Sequence, residues 1–252
     1  MAHRHKAATD AVPSRLDPDT RGGLRLTLAA VAGLLLAVPF ALLLLLVVDH
    51  WGPLQRLDLR LDDGLNAFAF HHSTYVALLR AVTNIASPAT FELVSLPVAV
   101  LLLVRRQPRL AVWLLVTVFG GELLSQLVKQ AVGRERPLPL HPVAHALSAS
   151  FPSGHALGSV VGVGGLLLVG LPYARSSLRR PLIALGALMV VAVGFSRLGL
   201  GVHYLSDVLG GYVLGAAWLT ATTAAFSAWR RDLGRGARPA TAGLEPAAPE
   251  QR

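Results

Sequence analysis

Between Leu26 and Val48 the chain runs 23 residues without a charged side chain. Roughly 20 apolar residues in a helix cross about 30 Å of hydrocarbon, so this run is long enough to span a bilayer. A signal-peptide core is only about 7–15 residues long and leads into a small-residue cleavage site. Here Asp49-His50-Trp51 follow instead, and the sequence predicts an uncleaved first helix. Comparable runs recur along the chain. Ala89 to Val104 fits a second span, with Ser87-Pro88 as N-cap and first-turn proline. Leu110 to about Val132 fits a third, interrupted by Glu122 and Lys129. Pro137 to Ala174 holds no Lys, Arg, Asp or Glu in 38 residues, and its later part, His155 to Tyr173, is the fourth span. Pro181 to Ser196 and Val208 to Trp229 complete the set. The runs are continuous rather than alternating, which excludes a β-barrel. The expected fold is all-α, a six-transmembrane helical bundle over residues 26–229.

Composition agrees. Hydrophobic residues make up 53% of the chain and charged residues 15%, against about 25% charged in a soluble domain. A soluble globular or disordered protein is excluded. The net charge of +9 raises the question of nucleic acid until the charge is placed. An even number of helices puts both termini and the loops after helices two and four on one side. Residues 1–25, 105–109, 175–180 and 230–252 carry 5, 3, 3 and 5 basic residues, 16 of the 23. By the positive-inside rule both termini are expected in the cytoplasm of a plasma-membrane protein. Topology thus accounts for the charge, and no nucleic-acid partner is expected. The tails, 1–25 and 230–252, are rich in Ala, Pro and Arg and are expected to be disordered. The chain has no cysteine, hence no disulfide, thiolate metal site or cysteine nucleophile. Gly210, Gly211 and Gly215 suit close helix packing within one chain or between chains, so they fix no oligomeric state.

The outer segment 49–87 is long. Leu65, Phe68, Tyr75, Val76, Leu79 and Val82 recur there at helical spacing. They fit a helix packed on the bundle, or an interfacial helix beside a substrate entrance.

Removing the topological arginines leaves a polar cluster at the opposite, extracytoplasmic ends of the helices. Lys129 lies near the end of helix three, followed by Gly133-Arg134-Glu135-Arg136-Pro137. Phe151-Pro152-Ser153-Gly154-His155 opens helix four, Ser196-Arg197 ends helix five, and His203 to Asp207 opens helix six. Ionisable groups at membrane depth are costly and mark function. Phosphate suits them. Lys129, Arg136 and Arg197 are cationic donors, and the arginines can fork to phosphoryl oxygens. Ser153 and Gly154 sit where a helix N-terminus presents free N–H groups. His203 and Asp207 are four residues apart, so one turn can set the carboxylate beside the imidazole, leaving the other ring nitrogen as nucleophile or base. His155 remains for proton transfer.

This arrangement resembles the type 2 phosphatidic acid phosphatase superfamily, which includes lipid phosphate phosphatases and, more distantly, vanadium haloperoxidases. The first family motif, lysine, six residues and Arg-Pro, matches Lys129 through Arg136-Pro137. The second, Pro-Ser-Gly-His, stands at Pro152-Ser153-Gly154-His155. The third, Ser-Arg, five residues, His, three residues, Asp, matches Ser196-Arg197, His203 and Asp207. The resemblance implies a lipid phosphate substrate and a reaction in which His203 forms a phosphohistidine, Asp207 orients it, and His155 protonates the leaving group and then activates water. Lys129, Arg136, Ser153, Gly154 and Arg197 would hold the phosphoryl oxygens. Arg134 matches a commonly basic position beside the first motif. A lipid phosphotransferase would use the same intermediate with another acceptor. A haloperoxidase-like activity fits less well, because that branch is soluble.

No cofactor or metal is expected. His141 and His145 are four apart in a loop with only Glu135 nearby, too few ligands for a structural zinc site. Glu122 lies seven residues before Lys129, close to the same helix face, as a hydrogen-bonding or ionic partner or as a neutral acid.

Overall fold

The computed structural model of the chain describes residues 18–139, 142–144 and 147–232. Among the described residues the regular structure is helical: α1 (Pro18–Val48), α2 (Gly52–His71), α3 (Ser73–Ile85), α4 (Pro88–Val104), α5 (Pro108–Val132), α6 (Gly154–Gly170), α7 (Ser176–Gly199) and α8 (Leu205–Asp232). A short 3-10 turn, Leu171–Tyr173, joins α6 to α7. The outer parts of the expected tails, and the histidines at 141 and 145, lie outside the described residues. α1 begins at Pro18 rather than at Leu26, and a proline in the first turn is tolerated because its missing N–H would have no partner there.

Among the described residues five segments are long and apolar enough to cross a membrane: Ser73–Val104, Pro108–Val132, Gly154–Tyr173, Ser176–Gly199 and Leu205–Ser227. Leu35–Val48 and Gly52–His71 meet at 86° and make a sixth if taken as one broken span. The chain is a multi-pass helical membrane protein. α4 starts as the sequence dictates, with Ser87 Oγ accepting from Thr90 N at 3.1 Å and Pro88 in the first turn.

The core lies among α4 to α8, where Leu114, Leu157, Val161 and Val193 are at most 1% exposed. Leu35, Leu93, Leu123 and Leu188, by contrast, are 61–69% exposed. In water such a surface would aggregate; in a bilayer it is the lipid-facing belt. Lipid tails are as apolar as leucine, so helices also need polar interhelical bonds to hold together. Trp218 Nε1 donates to the Thr117 carbonyl at 2.8 Å, Thr117 Oγ1 to Thr222 Oγ1 at 3.1 Å, and Tyr212 Oη to the Val190 carbonyl at 2.8 Å. These bonds tie α8 to α5 and to α7.

Segment 49–87 is two helices broken at His72. α3 buries Val76, Leu79 and Thr83, so its apolar stripe packs inward as expected. α2 is inverted. Its buried face is Asp58, Asp62, Asn66 and Ala69, while Leu57, Leu59, Phe68 and Phe70 are 46–51% exposed. Phe68, read from periodicity as part of a packing stripe, therefore faces outward.

Candidate active site

Three chain turns assemble one polar cluster. α5 carries Lys129 in its last turn and stops at Gly133, which adopts φ +62°, a left-handed conformation that costs a glycine little. Gly133 N closes the helix on the Lys129 carbonyl at 2.9 Å. The chain then runs back over the helix end, and Ser150 N bonds the Arg134 carbonyl at 2.8 Å. Arg136 is held in place by carbonyls: Nε donates to Ser148 O at 2.6 Å and Nη1 to Val202 O at 2.6 Å. Its Nη1 also lies 3.2 Å from His203 Nε2. Lys129 Nζ is 3.5 Å from Ser148 Oγ and almost fully buried.

The second turn is the N-terminus of α6. Ser153 is the N-cap, its Oγ facing Ala156 N at 3.5 Å, and its own N donates to the Asp207 carbonyl at 2.9 Å. The first helical residue is Gly154. A Cβ there would press on Ser125 Oγ at 3.3 Å and lie in ordinary contact with Lys129 Nζ at 3.5 Å and Glu122 Oε2 at 3.9 Å, so the helix N-terminus sits close over the lysine. His155 follows in the first turn, half-buried.

The third turn joins α7 to α8. Arg197, in the last turn of α7, donates from Nη1 to Thr83 Oγ1 of α3 at 2.8 Å, while its Nε is buried without a partner. His203 is 2% exposed, with Nδ1 3.5 Å from Asp207 Oδ2. That is long for a charge-assisted bond. The same oxygen accepts from Ser150 Oγ and, at 2.9 Å, from Tyr204 N. The other carboxylate oxygen of Asp207 accepts Arg134 Nη1 at 2.5 Å.

Burial is the largest influence on His203 and pushes it down to about 4; Asp207 opposes this, and Arg136 and Arg197 add to it. The imidazole is therefore neutral at pH 7, with Nε2 on the side of Arg136. Burial also lowers Arg136 from the usual guanidinium value, though not enough to discharge it. Lys129, Arg136, Ser153, Gly154, His155, Arg197, His203 and Asp207 are thus brought to one place. Such a place offers an anion several fixed donors and a neutral nitrogen nucleophile.

Arg134 takes a different position from the other basic residues. Its guanidinium lies over the Tyr204 ring, 4.5 Å from the centroid, and spends its donors on Asp207, Ser206 at 2.7 Å and Asp58 at 2.9 Å. Glu122 sits below the N-terminus of α6; Oε1 accepts from Gln126 at 2.6 Å and Oε2 is buried without a partner. It forms no ion pair with Lys129 within 4.0 Å. Among the described residues no three potential metal ligands come together. Sequence reasoning passed over Asp58, Thr83, Ser148, Ser150 and Ser206, which hold the cluster from outside the motifs. The signal for Asp58 was an acidic residue spaced four and eight positions before Asp62 and Asn66, a polar stripe on one helix face.

Residues 110–231 match the sequence profile of the PAP2 superfamily. The chain is 38% identical over 106 residues to phosphatidylglycerophosphatase B of Bacillus subtilis, covering 40% of this chain and 51% of the relative. It is 26% identical over 185 residues to undecaprenyl-diphosphatase of Sulfolobus acidocaldarius, covering 71% and 85% of the two chains. With lipid A 1-phosphatase of Rhizobium etli it shares 32% identity over 122 residues, 44% of this chain and 48% of the relative. The chain thus spans about half the length of two of these three relatives. Its fold matches the crystal structure of a transmembrane PAP2-type phosphatidylglycerolphosphate phosphatase from Bacillus subtilis with a TM-score of 0.65, at 23% identity, covering 82% of this chain and 98% of that one. The matched profile and the shared fold make the chain similar to the PAP2 superfamily and to its transmembrane phosphatases.

Proposed function

We propose that the chain is an integral-membrane phosphatase that hydrolyses lipid phosphate monoesters or diphosphates at the extracytoplasmic face, without a metal. The observation that carries this reading is the setting of His203, with Asp207 at 3.5 Å from one ring nitrogen and Arg136 at 3.2 Å from the other. In the first step Nε2 forms a bond to phosphorus and the P–O bond to the leaving group breaks. His155 gives that oxygen a proton, and Asp207 balances the positive charge on the imidazole. In the second step His155 takes a proton from water, the water oxygen bonds phosphorus and the N–P bond breaks. Lys129, Arg136, Arg197, the Ser153 hydroxyl and the N–H of Gly154 stabilise the equatorial oxygens as charge develops, the Ser153 N–H being held by the Asp207 carbonyl. The unpartnered Arg197 Nε is a donor in want of such an oxygen.

Relatives named for phosphatidylglycerophosphate, undecaprenyl diphosphate and lipid A 1-phosphate support a phosphate borne on a lipid. The extracytoplasmic placement rests on the 16 of 23 basic residues assigned to the opposite side. Phosphate release by detergent-purified protein from phosphatidic acid, phosphatidylglycerophosphate and undecaprenyl diphosphate tests the reading. Free phosphate from at least one is expected, with or without acceptor lipid. Release or transfer only when an acceptor is added would mark a phosphotransferase.

A further inference from the structure

Asp58 belongs to none of the three motifs, yet it is 1% exposed and accepts three hydrogen bonds. It accepts Arg134 Nη2 at 2.9 Å, Ser206 N at 3.0 Å and Ser206 Oγ at 2.5 Å. Arg134 at the same time donates to Asp207 at 2.5 Å. Two carboxylates, one from α2 and one from the first turn of α8, therefore share a single guanidinium. Burying such a triad costs desolvation of three charges, and apolar contacts would anchor α2 at lower cost. The arrangement has an electrostatic consequence that simple anchoring lacks. Alone with Arg134, Asp207 would be a neutralised ion pair. With Asp58 drawing on the same guanidinium, the three groups keep one net negative charge beside His203.

We infer that Asp58 is a positioning residue for the nucleophile, acting through Arg134 to keep the Asp207 carboxylate available to His203. This rests on the reading of His203 as the nucleophile. Around the ring, Arg136 of the α5–α6 loop, Arg197 of α7 and His155 of α6 oppose a positive charge, and Asp207 of α8 favours it. A phosphorylated imidazole carries that positive charge, so the anion matters most once the N–P bond has begun to form. Removing the Asp58 charge leaves Arg134 paired to Asp207 alone and makes His203 less basic. Removing the Arg134 charge frees Asp207 and makes His203 more basic.

The two substitutions must therefore move the acidic limb of kcat/KM in opposite directions. The full chain in detergent, assayed with p-nitrophenyl phosphate, gives this readout, since the substrate's own ionisation is common to every variant. Asp58→Asn is expected to shift the limb to lower pH by about one unit and to reduce kcat about tenfold, with KM changed less than about threefold. Arg134→Gln is expected to shift the limb upward. Limbs that stay in place, or move together, overturn the inference; so does an Asp58→Asn protein that loses only thermal stability. If Asp58→Asn cannot be purified folded, the upward shift in Arg134→Gln decides alone. Activity surviving in His203→Ala would instead remove the nucleophile reading on which the inference stands.

Discussion

Ser153 N donates to the backbone carbonyl of Asp207 at 2.9 Å, joining the N-cap of α6 to the first turn of α8. This bond fixes the distance between the proposed phosphate cradle and the carboxylate beside His203. The proposed anion-binding end of α6 and the proposed nucleophile are thus positioned by one connection between two helix starts, and disturbances at either start are felt at both.

Gly154 packs against two polar side chains of the candidate site. A methyl group there meets Ser125 Oγ at 3.3 Å, so that hydroxyl must give by a few tenths of an ångström, and it touches Lys129 Nζ in ordinary contact at 3.5 Å. Gly154→Ala is expected to lower kcat about tenfold, less than the roughly 10²-fold that a misplacement of about 1 Å costs. The thermal midpoint should change little, because the methyl presses on side chains rather than backbone. Steady-state kinetics beside a melting curve check this.

Thr83 is the partner of Arg197 Nη1 at 2.8 Å. Thr83→Val keeps the shape of the side chain and removes the acceptor. A hydrogen bond to a charged group is worth about 1.5–3 kcal/mol, so kcat/KM is expected to fall about 10–100-fold. The same substitution on a fully exposed threonine would leave kcat/KM unchanged.

Metal removal should have no effect. The cluster holds donors for an anion, whereas Mg²⁺ prefers an octahedral set of oxygen ligands. Activity in excess EDTA is expected to equal activity with Mg²⁺, and vanadate is expected to inhibit both. Loss in EDTA with recovery on adding Mg²⁺ would contradict this.

Much of the site was legible because each motif is local. Lys129 to Arg136, Ser153 to His155 and Arg197 to Asp207 each lie within one helix end and its loop, and the chemistry of their side chains points to one anion. What was not legible is what holds them. Ser206 meets Asp58 across 148 positions, and Arg197 meets Thr83 across 114. Periodicity also assigned the apolar side of α2 to the protein interior, as it would in water. In a bilayer that side is satisfied by lipid, so the polar stripe at Asp58, Asp62 and Asn66 is free to be buried against the site. The number of spans shows the same limit: Leu26 to Val48 reads as a straight crossing, yet the turn of 86° after Val48 depends on what α2 packs against.

Topology has a direct test because the chain has no cysteine of its own. Leu138, 91% exposed in the loop between α5 and α6, can be replaced by the single cysteine. Leu138→Cys is expected to react with an impermeant maleimide in intact cells. Reaction only after permeabilisation would place the cluster on the cytoplasmic side.

The central claim is that His203 carries the phosphoryl group and His155 handles the protons. An activated aryl phosphate leaves without a proton, while a lipid alkoxide needs one, and general acid catalysis is typically worth about 10²–10⁴-fold. His155→Ala should therefore lose lipid phosphate hydrolysis but still be phosphorylated by the aryl phosphate, and the intermediate should linger because its water is no longer activated. Quenching with alkaline detergent during turnover of ³²P-labelled aryl phosphate, followed by a check of the label's stability to acid and to base, measures this. The account predicts acid-labile, base-stable label on His155→Ala and none on His203→Ala. Label on His203→Ala, or its absence from both, would contradict it.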